Sequence, residues 1–249
     1  MNWNSIVAKV SPYIVKIETQ TGSGTGFLCF YNEHKVFCGI ATALHVVEDA
    51  DKWQQPIKIH NHNFSKSKLL KEADRIIFTD DDTDSAMILF NPSDFDFPEE
   101  LISLRPKDAV ITIGNEVSWL GYPGIYEWTL CFFSGCVSAN RKNSYLIDGV
   151  AINGVSGGPV LYSSDADGVQ IVGSVSAYRA NRQRGDTLPG LLIAQDVSHF
   201  HSVIQVFKNL DDAKRKKAEE EAKKKQSAGD SLPPAEPPAA PVPPEPPKA

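Results

Sequence analysis

The chain has 249 residues, 41% of them apolar and 22% charged, enough length and apolar content for one large folded domain or two smaller ones. Its net charge of -6 is uneven: residues 208–225 carry +3, residues from 227 onward -2, and residues 1–207 -7. An acidic body with no basic stripe excludes nucleic acid as the main ligand, and no stretch approaches the length of a membrane span.

The N-terminus MNWNSIVAKVSPYIVKIET lacks the apolar core of a secretory leader, so a cytoplasmic location is expected. Short β-rich runs follow at Ile14–Ile17, Phe27–Tyr31, Val36–Ile40, Ile57–Ile59, Ile76–Phe78 and Ala86–Phe90. The glycines of Gly22-Ser-Gly24-Thr-Gly26 lead into a strand rather than a helix, and no P-loop lysine follows, so they do not read as a phosphate loop. Cys29, Cys38, Cys131 and Cys136 form no CxxC pair and are too sparse to staple a scaffold. Should Tyr31–Val36 close a hairpin, Cys29 and Cys38 would sit opposite each other and could bridge in an oxidising compartment.

The polar, proline-containing stretch Asn91–Pro106 reads as the seam between two β halves. Beyond it, strand-like runs recur at Val110–Ile113, Val117–Leu120, Leu130–Phe133, Val169–Ser174 and Leu191–Ala194, and nothing between Thr19 and Asp196 carries a long helical period. A helix is expected from Ser198, where Phe200, Val203, Ile204, Phe207 and Leu210 recur at helical spacing. The stripe then fades into a charged helical extension, 208–226. The tail, 227–249, holds nine of the 17 prolines and reads as extended polyproline II, a spacer or a ligand for a proline-reading partner.

The sharpest chemical signal is Gly154-Val155-Ser156-Gly157-Gly158-Pro159. Glycines around a serine allow a tight turn that exposes the hydroxyl and aims the amides of Gly154 and Ser156 at one point, an oxyanion hole. The competing reading is a plain β-turn. A serine nucleophile needs a base, and His45, at the end of a run of small residues, is the candidate. His60 and His62 alternate on a strand, and His199 and His201 face different ways on a helix; neither pair has acidic or cysteine partners at ligand spacing, so no metal is expected. Asp84, where the acidic loop Asp80-Asp81-Asp82 gives way to a buried strand, is the candidate to orient the base.

The strings GSGTGF, ATALHVV, DSAMILF, LGYPG and GVSGGPV, in this order, resemble the trypsin/chymotrypsin-fold serine proteases, specifically HtrA-type (DegP-like) trypsin-like peptidase domains without a PDZ domain. The resemblance runs from about Tyr13 to Phe207. It implies an all-β fold of two antiparallel six-stranded barrels: a protease domain over 1–207, with barrel one at about 13–95, barrel two at about 107–197 and a closing helix from 198.

By the same resemblance, His45 is the general base, Asp84 the orienting acid and Ser156 the nucleophile of a serine endopeptidase that acts on polypeptides and needs no cofactor. Gly154 and Ser156 supply the oxyanion amides. Gly149, Val150, Ala151, Ile152 and Asn153 form part of the P1 pocket wall, and Val172, Gly173, Ser174, Val175, Ser176, Ala177 and Tyr178 pair with substrate backbone. Val150, where trypsin-type enzymes carry a specificity acid, implies a preference for small or aliphatic P1 residues.

Two departures bear on these implications. Val155 replaces the Asp or Asn usual before the nucleophile, so activation by a new N-terminus pairing with that acid is not expected. A charged helix and proline-rich tail stand where HtrA-type proteins carry a PDZ domain. The rival to the enzyme is a catalytically silent peptide-binding or adaptor module on the same fold, and a protease switched on by a partner is a third reading.

Overall fold

The computed structural model describes residues 2–93, 95–150, 152–164, 168–183 and 186–229, with backbone alone at 180–183, 186–189 and 224–229. Ala151 and the prolines of the tail, with the partner they would bind, lie outside the described residues. The chain divides into two units, Met1–Asn209 and Leu210–Ala249.

The first half is a sheet of seven strands: β1 (Ile14–Glu18), β2 (Ser23–Tyr31), β3 (Cys38–Ala43), β4 (Ile57–Asn61), β5 (Ser67–Leu70), β6 (Arg75–Asp80) and β7 (Ser85–Phe90), in the order β5-β4-β1-β2-β3-β7-β6. The second half is a closed barrel of β8 (Glu116–Gly121), β9 (Cys131–Arg141), β10 (Ser144–Asp148), β11 (Pro159–Ser164), β12 (Gly168–Gln183) and β13 (Asp186–Asp196). The expected chymotrypsin-like β architecture is therefore present, with one difference. The first sheet is not the expected closed six-stranded barrel but an open half-barrel of seven strands, with no ladder between its edges, β5 and β6. Beside these edges the Arg75 guanidinium donates to the carbonyls of Leu70 (2.9 Å), Ala50 (3.0 Å) and Gln55 (2.8 Å).

Strands β3 and β7, central in this sheet, are buried along their whole length and so lack alternation. The strand expected over Val36–Ile40 runs from Cys38 to Ala43, and a helix absent from the sequence reading begins at the next residue: α2 (Leu44–Lys52), which buries Leu44, Val46, Val47 and Ala50 on one face. A second unexpected helix, α1 (Trp3–Val10), is capped by Asn2, whose side chain accepts from the Asn4 amide (3.1 Å), and buries Ile6 and Val10. Val110–Ile113 is not a strand; Val110 and Ile113 face solvent and only Ile111 enters the core.

The last helix, α3 (Ser198–Gly229), packs its opening turns on the first half rather than on the barrel it follows. Phe200 is fully buried edge-on to Phe27, and Phe207 meets Phe30 and Phe78. A separate apolar cluster, including Trp119, Val155, Val160 and Val172, fills the second barrel.

Cys38 pairs with Tyr31, and an irregularity between Leu28 and Phe30 takes Cys29 out of register, so the two cysteines are not opposite and both are free. Burial pushes the Cys38 thiol up to about 12 and Cys29 higher still, which makes both inert thiols. Among the described residues no helix is long and apolar enough to cross a membrane.

Candidate active site

Asp84 ends the connection between β6 and β7 with a φ of 45°, a left-handed conformation that Asp tolerates better than branched residues do. This turn aims both its main chain and its side chain at the start of α2. The N-cap of α2 is Ala43, which has no oxygen to offer. Asp84 takes over: its carbonyl accepts from the Leu44 amide (3.0 Å) and its Oδ1 from the His45 amide (3.0 Å).

The same carboxylate faces the His45 ring, with Nδ1 2.9 Å from Oδ2 and 3.1 Å from Oδ1. Ser176 Oγ donates to Oδ2 from β12, at 2.6 Å. Burial pushes the Asp84 carboxyl upward, but the bonds from His45 and Ser176 outweigh it and hold it below the usual carboxylate range. The bond to Asp84 in turn raises the His45 pKa against the opposing pull of burial. With Nδ1 committed to the carboxylate, the neutral ring carries its basic lone pair on Nε2.

Ser156 lies on the turn between residues 152 and 158, whose shape depends on two glycines. Gly154 has φ +91 and Gly157 φ +82, and a Cβ at Gly157 would lie 2.2 Å from both Thr25 O and Thr42 Oγ1. Three amides of this turn bond inward: Val155 to Ile152 O (3.1 Å), Gly157 to Val175 O (2.6 Å) and Gly158 to Val155 O (2.9 Å). Among the described residues the amides of Gly154 and Ser156 have no such partner. The Asn153 carbonyl accepts from Gly124 N (2.7 Å), so the N–H of Gly154, across the same trans peptide, points the opposite way. These two free donors are what an oxyanion site requires.

The two halves meet at Gly157, where a Cβ would stand 2.8 Å from the amide of Ala43. That contact is one residue from Ser156 and two from His45. Among the described residues Ser156 Oγ makes no hydrogen bond, to His45 or to any other group. Catalytic bonds are often long before substrate binds.

The structure narrows the expected substrate strand. The Val172 side chain is buried in the barrel core, Gly173 and Ser174 are paired to β11 on one edge and β13 on the other, and Val175 exchanges backbone bonds with Gly157 and Gly158. Gly173, Ser174 and Val175 therefore have no edge to offer a peptide. Beyond Ser174 the pairing to β11 ends, leaving Ala177 and Tyr178 laddered to β13 alone, with Ser176 at the irregularity between Val175 and Ala177. The Ser176 side chain serves Asp84, while Ala177 and Tyr178 are exposed. In the expected P1 wall Val150 is exposed, Ile152 packs on the barrel core, and Gly149 sits so close to Trp119 that a Cβ would lie 2.2 Å from its ring.

Contacts outside the sequence reading complete the site. Thr42 Oγ1 donates to Thr25 O (2.7 Å), and Thr25 N donates to Ser156 O (2.8 Å). The other histidines have separate partners: His60 lies on Glu18 (2.9 Å), His199 on Asp80 (3.5 Å), and His201 on the Arg105 carbonyl (2.7 Å). Burial lowers the pKa of His62 and of His199.

Comparison with known proteins agrees with this architecture. A family model described as a trypsin-like peptidase domain matches residues 24–173. The fold is similar to the serine endoprotease from Yersinia pestis, at 18% identity and a TM-score of 0.60, covering 83% of this chain and 66% of that one, so the chain spans slightly under two thirds of that protein. It is also similar to the Rv3671c protease from M. tuberculosis in an inactive form, at 20% identity and a TM-score of 0.56, covering 80% of this chain and 90% of that one. No curated protein matches by sequence.

Proposed function

Because the chain belongs to the trypsin-like peptidase domain family, we propose that it is a serine endopeptidase that hydrolyses polypeptides through a covalent acyl-enzyme on Ser156. The observation that carries this reading is the His45–Asp84 pair, 2.9 Å apart, set beside a serine turn with two amides that have no partner among the described residues. His45 Nε2 takes the Ser156 proton as Oγ attacks the peptide carbonyl. The oxyanion forms against the amides of Gly154 and Ser156, and the imidazolium is held by Asp84. His45 then gives its proton to the leaving amine. Water, deprotonated by the same nitrogen, attacks the acyl-enzyme and releases the acid product and Ser156. These steps use no metal or organic cofactor.

The substrate backbone would pair along Ser176–Tyr178, the part of β12 with an edge free of β11. The P1 side chain would enter beside Gly149–Asn153, where an apolar wall without a carboxylate favours small or aliphatic residues. Preferential cleavage after Arg in a peptide library would overturn that specificity. The nucleophile is tested by labelling with a fluorophosphonate probe. The parent labels at Ser156, and Ser156→Ala, folded by circular dichroism, does not. Equal labelling of the two would sink the assignment.

A further inference from the structure

We infer that Thr25 is a positioning residue for the proposed acyl transfer, holding the nucleophile turn from the opposite half of the molecule; this rests on the serine endopeptidase reading. Thr25 sits in β2, fully buried, with each of its polar groups engaged. Its amide donates to Ser156 O (2.8 Å). Its Oγ1 donates to Gly154 O (2.8 Å) and accepts from Tyr122 N (3.0 Å), and its carbonyl accepts from Thr42 Oγ1 (2.7 Å).

These bonds bracket the proposed oxyanion donors. The amide of Ser156 belongs to the 155–156 peptide, and Thr25 pins the peptide on either side of it through the carbonyls of Gly154 and Ser156. The amide of Gly154 is aimed by the bond between Asn153 O and Gly124 N, and Thr25 Oγ1 anchors the segment leading to Gly124 at Tyr122.

Residue 155 cannot supply this hold. Val155 is fully buried in the barrel core against Gly121, where a Cβ would stand 2.8 Å from its Cγ1. An apolar side chain leaves the carbonyl of Gly154 to be satisfied from elsewhere, and the hydroxyl of Thr25 does it. Without that hydroxyl, a half-buried acceptor, Gly154 O, and a buried donor, Tyr122 N, lose their shared partner, and the turn relaxes toward another orientation.

The test is Thr25→Val, which keeps the shape and removes the hydroxyl, with Thr25→Ser as the rescue. Deleting an oxyanion donor outright costs about 10²–10³ in kcat, so loosening the frame that aims two of them is expected to cost roughly 10–100-fold. KM on a peptide substrate stays within about threefold, since ground-state contacts are untouched, and Thr25→Ser recovers most of kcat. A peptide boronic acid, whose tetrahedral adduct places an oxygen at the oxyanion position, loses affinity for Thr25→Val in step with kcat.

A merely structural role would lower the melting temperature and leave the kcat of the folded fraction within twofold of the parent, which overturns the proposal. Equal impairment of Thr25→Ser overturns it as well. If Thr25→Val does not fold, Thr25→Cys, a weaker donor of similar size, takes its place, and full kcat there is equally fatal. Fluorophosphonate labelling separates the two failures. An unlabelled parent removes the endopeptidase reading itself, whereas a labelled parent with an unimpaired valine variant removes only the role of Thr25.

Discussion

The first half of the molecule places its part of the site with side chains, the second with main chain. His45 and Asp84 are held by bonds among an imidazole, a carboxylate and the hydroxyl of Ser176, and Asp84 doubles as the cap of α2. Ser156 is held by carbonyls and amides of a turn that only glycine can make at residues 154 and 157. The first arrangement is sensitive to loss of a charge. The second is sensitive to the gain of one carbon.

The largest expected effect breaks the first arrangement. Asp84→Asn keeps the shape but no longer fixes the tautomer of His45, and kcat is expected to fall about 10⁴-fold. The pH profile sharpens the point. Because the bond to Asp84 raises the His45 pKa, the acid limb of kcat/KM has its midpoint above about 6.5. In the asparagine variant it shifts down. Linkage gives the sign for stability: the contribution of His45 is complete below about 6.5 and lost as pH rises through its raised folded value, whereas that of Asp84, with a depressed folded pKa, is lost as pH falls through that value. A limb that does not move in Asp84→Asn would mean that another group sets it.

Next in size is the second arrangement. Gly157→Ala places a methyl carbon on Thr25 O and Thr42 Oγ1 at a φ that L-residues rarely adopt. Backbone strain and overpacking each cost roughly 1–3 kcal/mol, so urea unfolding should show a combined loss of about 2–6 kcal/mol. Fluorophosphonate labelling should fail with it. Retained stability together with lost labelling would show that the turn can shift without unfolding.

The same contrast explains which parts of the site were legible in the sequence. His45, Asp84 and Ser156 stand out because each lies in a string whose local chemistry is distinctive: a histidine after small residues, an aspartate entering an apolar strand, a serine among glycines. Thr25 and Ser176 do not, because their meaning lies in partners 129 and 92 residues away. Helix α2 was invisible for a related reason. Nine residues give too few turns for a clear period, and its cap comes from Asp84, 39 residues beyond His45, rather than from residue 43. The short strands β5, β10 and β11 are specified by their neighbours more than by their own residues. The open edges of the first sheet, and the three bonds Arg75 makes beside them, depend on residues distant in the chain, which composition cannot announce.

The smallest expected effect lies where the two halves touch outside the site. Lys16, buried in β1, bonds Glu18 (2.8 Å) and rests 3.9 Å from the ring centroid of Trp128, on the segment that follows Gly124. His60 shares both partners, bonding Glu18 and lying edge-on to Trp128. The indole is half exposed, so the cation–π contact is worth about 1 kcal/mol, and Trp128→Ala should lower the melting temperature by roughly 2–4 °C. Its effect on kcat should stay within threefold, because Tyr122 N and Gly124 N keep their bonds to Thr25 and Asn153. Scanning calorimetry and steady-state kinetics on the same preparation separate the outcomes. A tenfold fall in kcat with an unchanged melting temperature would place Trp128 in control of the Asn153–Gly154 peptide. Trp128, fastened to the first half through Lys16, would then join the Thr25 hydroxyl as a second side-chain hold on the backbone of the nucleophile turn.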